Sequence, residues 1–189
     1  MTPDPELGAF LRQLARAFER VDVPYAIVDS VASGFHGEPR MTRDIDIVAK
    51  LYRSDVAALA KEFPEDDFYF DREMVIESMK SRQPFNIIHL ETMWKADIIL
   101  PREAYTNEQI DRRQRVELGG VGTYVITAED TIVSKMRWSK LSESDRQLSD
   151  CAGIVRVQGQ GLDRDVIAGL VTRFELQAQW ARVLEIAAT

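Results

Sequence analysis

With 189 residues, 45% of them hydrophobic and 29% charged, the chain holds enough apolar material for one substantial core or one domain with a helical extension, and too much for intrinsic disorder. A net charge of -7 and a pI near 5.0 argue against holding nucleic acid by bulk electrostatics, which needs a basic face, and the single Cys151 excludes an intramolecular disulfide or a multi-cysteine zinc site while suiting a reducing cytoplasm. No apolar run is long enough to span a bilayer and Met1 to Glu6 carry no apolar leader, so a cytoplasmic protein without membrane association is expected.

Leu7, Phe10, Leu11, Leu14, Ala15 and Phe18 recur at helical spacing, with Pro3 to Glu6 placed to start an amphipathic helix and Val23-Pro24 to stop it. Tyr25 to Val28 reads as a short apolar strand. Asp29-Ser30 is placed to cap a brief helix through Val31, Ala32 and Phe35 that ends near Gly37 and Pro39. A strand from Asp44 to Val48 follows, then a helix from about Ser54, a good N-cap residue, to Phe63. Phe68 to Phe70 reads as a short strand and Arg72 to Lys80 as a helix. Phe85 to Leu90 and Lys95 to Leu100 read as strands whose four-residue connection suits a hairpin. After a polar helix over Arg102 to Asp111, Gln114 to Leu118 and Val121 to Ile126 flank Gly119-Gly120 as a second hairpin. Thr127 looks like an N-cap with Asp130 as its reciprocal partner, and helical stretches follow through Ile132 to Trp138, Asp145 to Val157, Leu162 to Phe174 and Ala178 to Ala187. The expectation is an α+β fold: a mixed, mostly antiparallel sheet flanked by helices over residues 1–126, then a helical region over 127–189 packed on it.

Three aspartates stand out. Asp44 and Asp46 lie in Thr42-Arg43-Asp44-Ile45-Asp46-Ile47-Val48, and Asp97 lies in Lys95-Ala96-Asp97-Ile98-Ile99-Leu100. Each interrupts an apolar segment that reads as a buried strand, where a carboxylate is costly unless a proton, cation or hydrogen-bond network neutralises it. Strand alternation puts Asp44 and Asp46 on one face and Ile45 and Ile47 on the other. If the strand carrying Asp97 pairs nearby, three carboxylates converge, and a hard divalent cation such as magnesium is the natural neutraliser.

A strand, a turn with Ser30, a short helix and then an Asp-x-Asp strand closely resemble the nucleotidyltransferase superfamily related to DNA polymerase beta. Its signature is a Gly-Ser or Gly-Gly turn, an Asp-x-Asp or Asp-x-Glu strand, and a third acidic residue on a later strand. Tyr25 to Ala32 looks like the first element and Lys95-Ala96-Asp97 matches the third. His36 to Asp46 looks like the second, in the style of bacterial toxin-type and abortive-infection nucleotidyltransferases. The stretch with Glu129, Asp130, Lys135, Arg146 and Asp150 is similar to the helical region these proteins place after the core.

The resemblance implies a nucleotidyltransferase-type core followed by a helical bundle, and transfer of a nucleoside monophosphate from an NTP, with pyrophosphate leaving. It implies that Asp44, Asp46 and Asp97 bind two magnesium ions and that Asp97 assists deprotonation of an acceptor hydroxyl. Ser30 would touch a terminal phosphate, with Lys135 near the nucleotide or acceptor. Arg40 and Arg43 are further candidates for phosphate contact, the alternative being an ion pair with Asp44 or Glu38, favoured for Arg43. The acceptor is left open among an RNA end such as that of tRNA, a protein and a small molecule. One departure is visible: Asp29 stands where the family has Gly, adding a side chain and a negative charge in a turn where an unusual φ is expected. It motivates an alternative class, an impaired member kept as a binding or regulatory module, such as a partner in a toxin–antitoxin pair.

Other residues read as structural. His36 and His89 lack zinc-like partners, and Cys151 looks like a small buried apolar residue. Trp94, Trp138 and Trp180 are expected in cores. Arg112, Arg113, Arg115, Arg137 and Lys140 are the candidates for a local basic patch, with an ordinary solvated face favoured.

Overall fold

A computed structural model describes residues 5–39, 42, 44–142 and 144–189. Pro3 and Asp4, expected to help start the first helix, and the candidate phosphate contacts Arg40 and Arg43 lie outside the described residues. The chain divides into two compact units, one of residues 1–27 and 42–125, the other of residues 28–41 and 126–189.

The first unit carries a seven-stranded sheet. Its strands are β1 (Tyr25–Ile27), β2 (Asp44–Ala49), β3 (Phe68–Tyr69), β4 (Phe85–His89), β5 (Lys95–Ile99), β6 (Gln114–Leu118) and β7 (Val121–Val125), in spatial order β3-β4-β5-β2-β1-β7-β6. The β2–β5 and β1–β7 pairings are parallel and the others antiparallel, so the sheet is mixed and mostly antiparallel as expected. Helices α1 (Pro5–Arg20), α3 (Val56–Leu59), α4 (Arg72–Ser81) and α5 (Ala104–Asp111) accompany it.

Local chemistry explains several boundaries. Gly119 and Gly120 both take positive φ, +60° and +76°, which suits a two-residue hairpin turn of the kind Gly-Gly favours. Asp71 caps α4 by accepting from the N–H groups of Glu73 and Met74. The expected Ser54 cap is not formed: Asp55 holds the N-cap position, α3 is a single turn, and a 3-10 turn at Ala60–Glu62 continues it. The Asp55 carboxylate accepts from the Tyr52 N–H, so the polar side chains bond to each other and to the preceding loop instead of to the helix. In the core, Tyr25 stacks on Phe18 and exchanges a 3.0 Å hydrogen bond with Thr123, and burial pushes its phenol up to about 12.

The second unit is helical: α2 (Asp29–His36), α6 (Ala128–Ser142), α7 (Asp145–Gln158), α8 (Arg164–Arg173) and α9 (Gln177–Ala187). Thr127 caps α6 by accepting from the Asp130 N–H, as its sequence position suggests. The segment Val28–Met41 precedes the expected boundary yet belongs with the helices, because α2 packs on α6 and α7. The packing is tight at Gly37, where a Cβ would come within 2.8 Å of the Ile154 backbone nitrogen. His36 Nε2 bonds the Ile126 carbonyl oxygen at 2.7 Å, and Cys151 is buried with its thiol pushed up to about 12, so both are structural as expected. Trp138 does not pack in a core; it is exposed on α6. No helix among the described residues is long and apolar enough to cross a membrane.

Candidate functional site

The carboxylates of the first unit owe their placement to strand register. Parallel pairing of β2 with β5 sets Asp44 opposite Lys95 and Asp46 opposite Asp97, while antiparallel pairing of β4 with β5 sets Asn86 opposite Asp97. Alternation then divides the residues by face. Ile45, Ile47, Ala96 and Ile98 fill the core, and Asp44, Asp46, Lys95, Asp97 and Asn86 are all partly accessible on the other face. The structure therefore brings Asp44, Asp46 and Asp97 onto one sheet face across adjacent strands, but corrects the idea that they are buried charges: the Asp44 side chain is 43% exposed. Apolar neighbours in sequence marked the opposite face of the same strands.

Neutralisation comes from inside the chain. The Lys95 ammonium donates to Asp97 Oδ2 at 2.9 Å and lies 3.9 Å from Asp44 Oδ2, thereby bridging β5 to β2. The hydrogen bond to Asp97 is the largest cause raising the Lys95 pKa; partial desolvation opposes it, and the charges of Asp97, Asp44 and Asp46 add to it. Asn86 donates its amide to Asp97 Oδ1, so both oxygens of Asp97 are oriented. Thr42 donates to the Asp44 carbonyl and carboxylate at 3.0 and 3.1 Å. Lys95 and Asn86 had no role in the sequence reading. Period-two alternation places Lys95 on the face of Asp97, whereas Asn86 becomes visible only once the β4–β5 register is known.

The donor chemistry, hard carboxylate oxygens on one face, is that of a magnesium site. Among the described residues, though, no group of three or more His, Cys, Asp or Glu side chains is arranged to hold a metal ion, and the bridging cation is Lys95.

The second unit gathers a different set. Lys135 on α6 is only 2% exposed, and its ammonium donates to Asp29 Oδ1 at 2.8 Å, Asp150 Oδ2 at 2.9 Å and Gln147 Oε1 at 3.0 Å. An ammonium has three donors, and each is taken. Lys135 is thus a buried, fully bonded group, and any phosphate contact requires one of these bonds to be given up. Asp29 has φ +49°, the left-handed conformation that glycine or Asp tolerates, in agreement with the expectation that this turn needs an unusual φ. The expected capping of α2 by Asp29-Ser30 is not formed: Val28 is at the N-cap position and makes no side-chain bond there, and Asp29 turns to Lys135. Ser30 sits in the first turn of α2.

Comparison with known proteins gives a fold. No family model matches the chain, and no curated protein matches it. Among solved structures it is similar to an antigenic nucleotidyltransferase-like protein from Paracoccidioides brasiliensis, with TM-score 0.55, 17% identity, and coverage of 97% of this chain and 94% of that one. It is similar to ANT(2")-Ia in complex with adenylyl-2"-tobramycin, with TM-score 0.55, 13% identity, and coverage of 90% and 99%. A candidate nucleotidyltransferase of Thermotoga maritima aligns with TM-score 0.52 and 14% identity over 77% of this chain and 92% of that one. The chain thus has the nucleotidyltransferase-type fold.

Proposed function

We propose that the chain is a magnesium-dependent nucleotidyltransferase that moves a nucleoside monophosphate from an NTP to an acceptor hydroxyl. The observation that carries this reading is the register that puts Asp44 and Asp46 of β2 beside Asp97 of β5 on one accessible sheet face. The fold shared with nucleotidyltransferase-like proteins supports it. Asp44, Asp46 and Asp97, bridged by Lys95 and not arranged around a metal in this structure, would hold two magnesium ions once that ammonium gives way. When bound, magnesium supplies charge neutralisation for the attacking and leaving oxygens of a phosphoryl centre. The residues themselves do the rest. Asn86 orients Asp97, whose carboxylate accepts the acceptor's proton, and Lys95 shields the carboxylates from one another. In the second unit, Ser30 and Lys135 are the proposed nucleotide contacts.

The acceptor is a hydroxyl of an RNA end such as tRNA, of a protein, or of a small molecule; a relative of the same fold bound to adenylylated tobramycin supports the last. Calorimetry with magnesium and each of the four NTPs, followed by transfer of labelled nucleotide to an acceptor panel, tests the proposal. Binding and transfer abolished by Asp44→Asn support it; no heat with any NTP and no difference in the variant would sink it. A second reading, an impaired member serving as a binding or regulatory module such as a toxin–antitoxin partner, is favoured by the acidic side chain at Asp29. It gains if an NTP binds and no acceptor is ever modified.

A further inference from the structure

We propose that β6 is a self-complementary edge: two copies of the chain join β6 to β6 antiparallel about a two-fold axis at Val116, continuing one sheet into the other.

Among the described residues β6 ends the sheet, with β7 as its hydrogen-bonded neighbour. At the opposite end β3 is only two residues long and offers little ladder to extend, whereas β6 runs for five. The turn fixes where the backbone groups of β6 point. Gly119 and Gly120, both at positive φ, close a two-residue hairpin in which Leu118 and Val121 form the hydrogen-bonded pair next to the turn. Pairs then alternate along the ladder. Leu118, Val116 and Gln114 bond to β7, while the N–H and C=O groups of Arg115 and Glu117 point to the open edge.

These outward-pointing residues carry opposite charges at symmetrical places. Arg115 and Glu117 flank Val116, share one face of the strand and are exposed. With Val116 opposite Val116 of the other copy, each Arg115 stands opposite a Glu117, and each such pair exchanges both backbone hydrogen bonds. Hydrogen-bond geometry and charge therefore select the same register. A slip of two residues either way, the smallest that keeps outward groups facing outward groups, sets Arg115 against Arg115 or Glu117 against Glu117, and like charges directly opposite are unfavourable. On the other face, the core side shared with Val121 and Thr123, half-buried Val116 meets its copy and half-buried Leu118 meets Gln114, so apolar surface is covered as well. An edge of five residues a side is smaller than a standard interface, so the association is weak and reversible.

Sedimentation of the full chain from about 10 μM to about 1 mM, a range that spans weak association, should show monomer passing to dimer. Arg115→Glu and Glu117→Arg should each weaken self-association at least about tenfold, because either one sets like charges opposite each other in both pairs. Mixed in equal amounts, the two variants should form a heterodimer as tight as the parent dimer, and the double variant carrying both exchanges should self-associate again. In the parent chain, which needs no variant to fold, the amides of Arg115 and Glu117 should gain hydrogen-exchange protection as concentration rises, while that of Val116, bonded to β7, is protected throughout. A parent that stays monomeric up to about 1 mM would overturn the proposal. So would single variants that dimerise as well as the parent, a mixture that stays monomeric, or outward amides that remain unprotected in the dimer.

Discussion

The two units handle the same electrostatic problem, carboxylates facing an ammonium, in opposite ways. In the first, Lys95 bridges Asp97 and Asp44 on an accessible sheet face, where water screens each charge and a pair of this kind contributes little to stability. In the second, Lys135 is withdrawn from solvent and all of its donors are satisfied by Asp29, Asp150 and Gln147, so each partner depends on the others. Exposed charges can be rearranged around a ligand at small cost. Buried ones hold their geometry.

The contrast is sharpest at its extremes. Asp44→Asn should lower transfer on the order of a thousandfold or more, because it removes a carboxylate proposed to hold the magnesium; denaturant unfolding of the same variant should barely move, and a large stability loss would break the comparison. Lys135→Met should do the reverse in kind, destabilising the chain by about 3–5 kcal/mol in a urea or guanidinium titration, since it leaves carboxylates beside an apolar side chain. A loss below about 1 kcal/mol would place Lys135 with the screened surface pairs instead.

A smaller effect should come from His36, whose pKa burial holds below its ordinary value of 6.5. The unfolded chain then binds the proton more readily than the folded one, so the stability His36 contributes is present above pH 6.5 and declines as pH falls below it toward the depressed folded value. Unfolding midpoints from pH 8 to about 5 should show this decline, and His36→Gln should flatten it. Least of all, Lys95→Met should change stability by about 1 kcal/mol or less, as expected for an exposed pair. Magnesium titration of that variant should show tighter binding once the competing ammonium is gone, and unchanged or weaker binding would mean that Lys95 helps to assemble the carboxylates.

Much of the first unit was legible because its information is local. Alternation in Asp44-Ile45-Asp46-Ile47 separates the two faces of β2, Gly119-Gly120 marks a hairpin, and the order of turn, Asp-x-Asp strand and later aspartate resembles one superfamily. The Ser54 cap failed for a local reason too, since the neighbouring Asp55 holds the N-cap position and bonds the preceding Tyr52 N–H instead of the helix. The burial of Lys135 was not legible, because its partner Asp29 lies 106 positions away and nothing in an isolated helix distinguishes a buried lysine from a solvated one.

By itself the sequence determined most of the strands and helices and the face on which Asp44 and Asp46 lie, because periodicity acts over a few residues. Only the tertiary structure decided that Asp97 stands beside Asp46, that Asn86 and Lys95 hold it, that Val28–Met41 joins the helical unit and that Lys135 is locked to Asp29 and Asp150. Those outcomes depend on strand register and on desolvation, and both are properties of chain segments brought together from far apart.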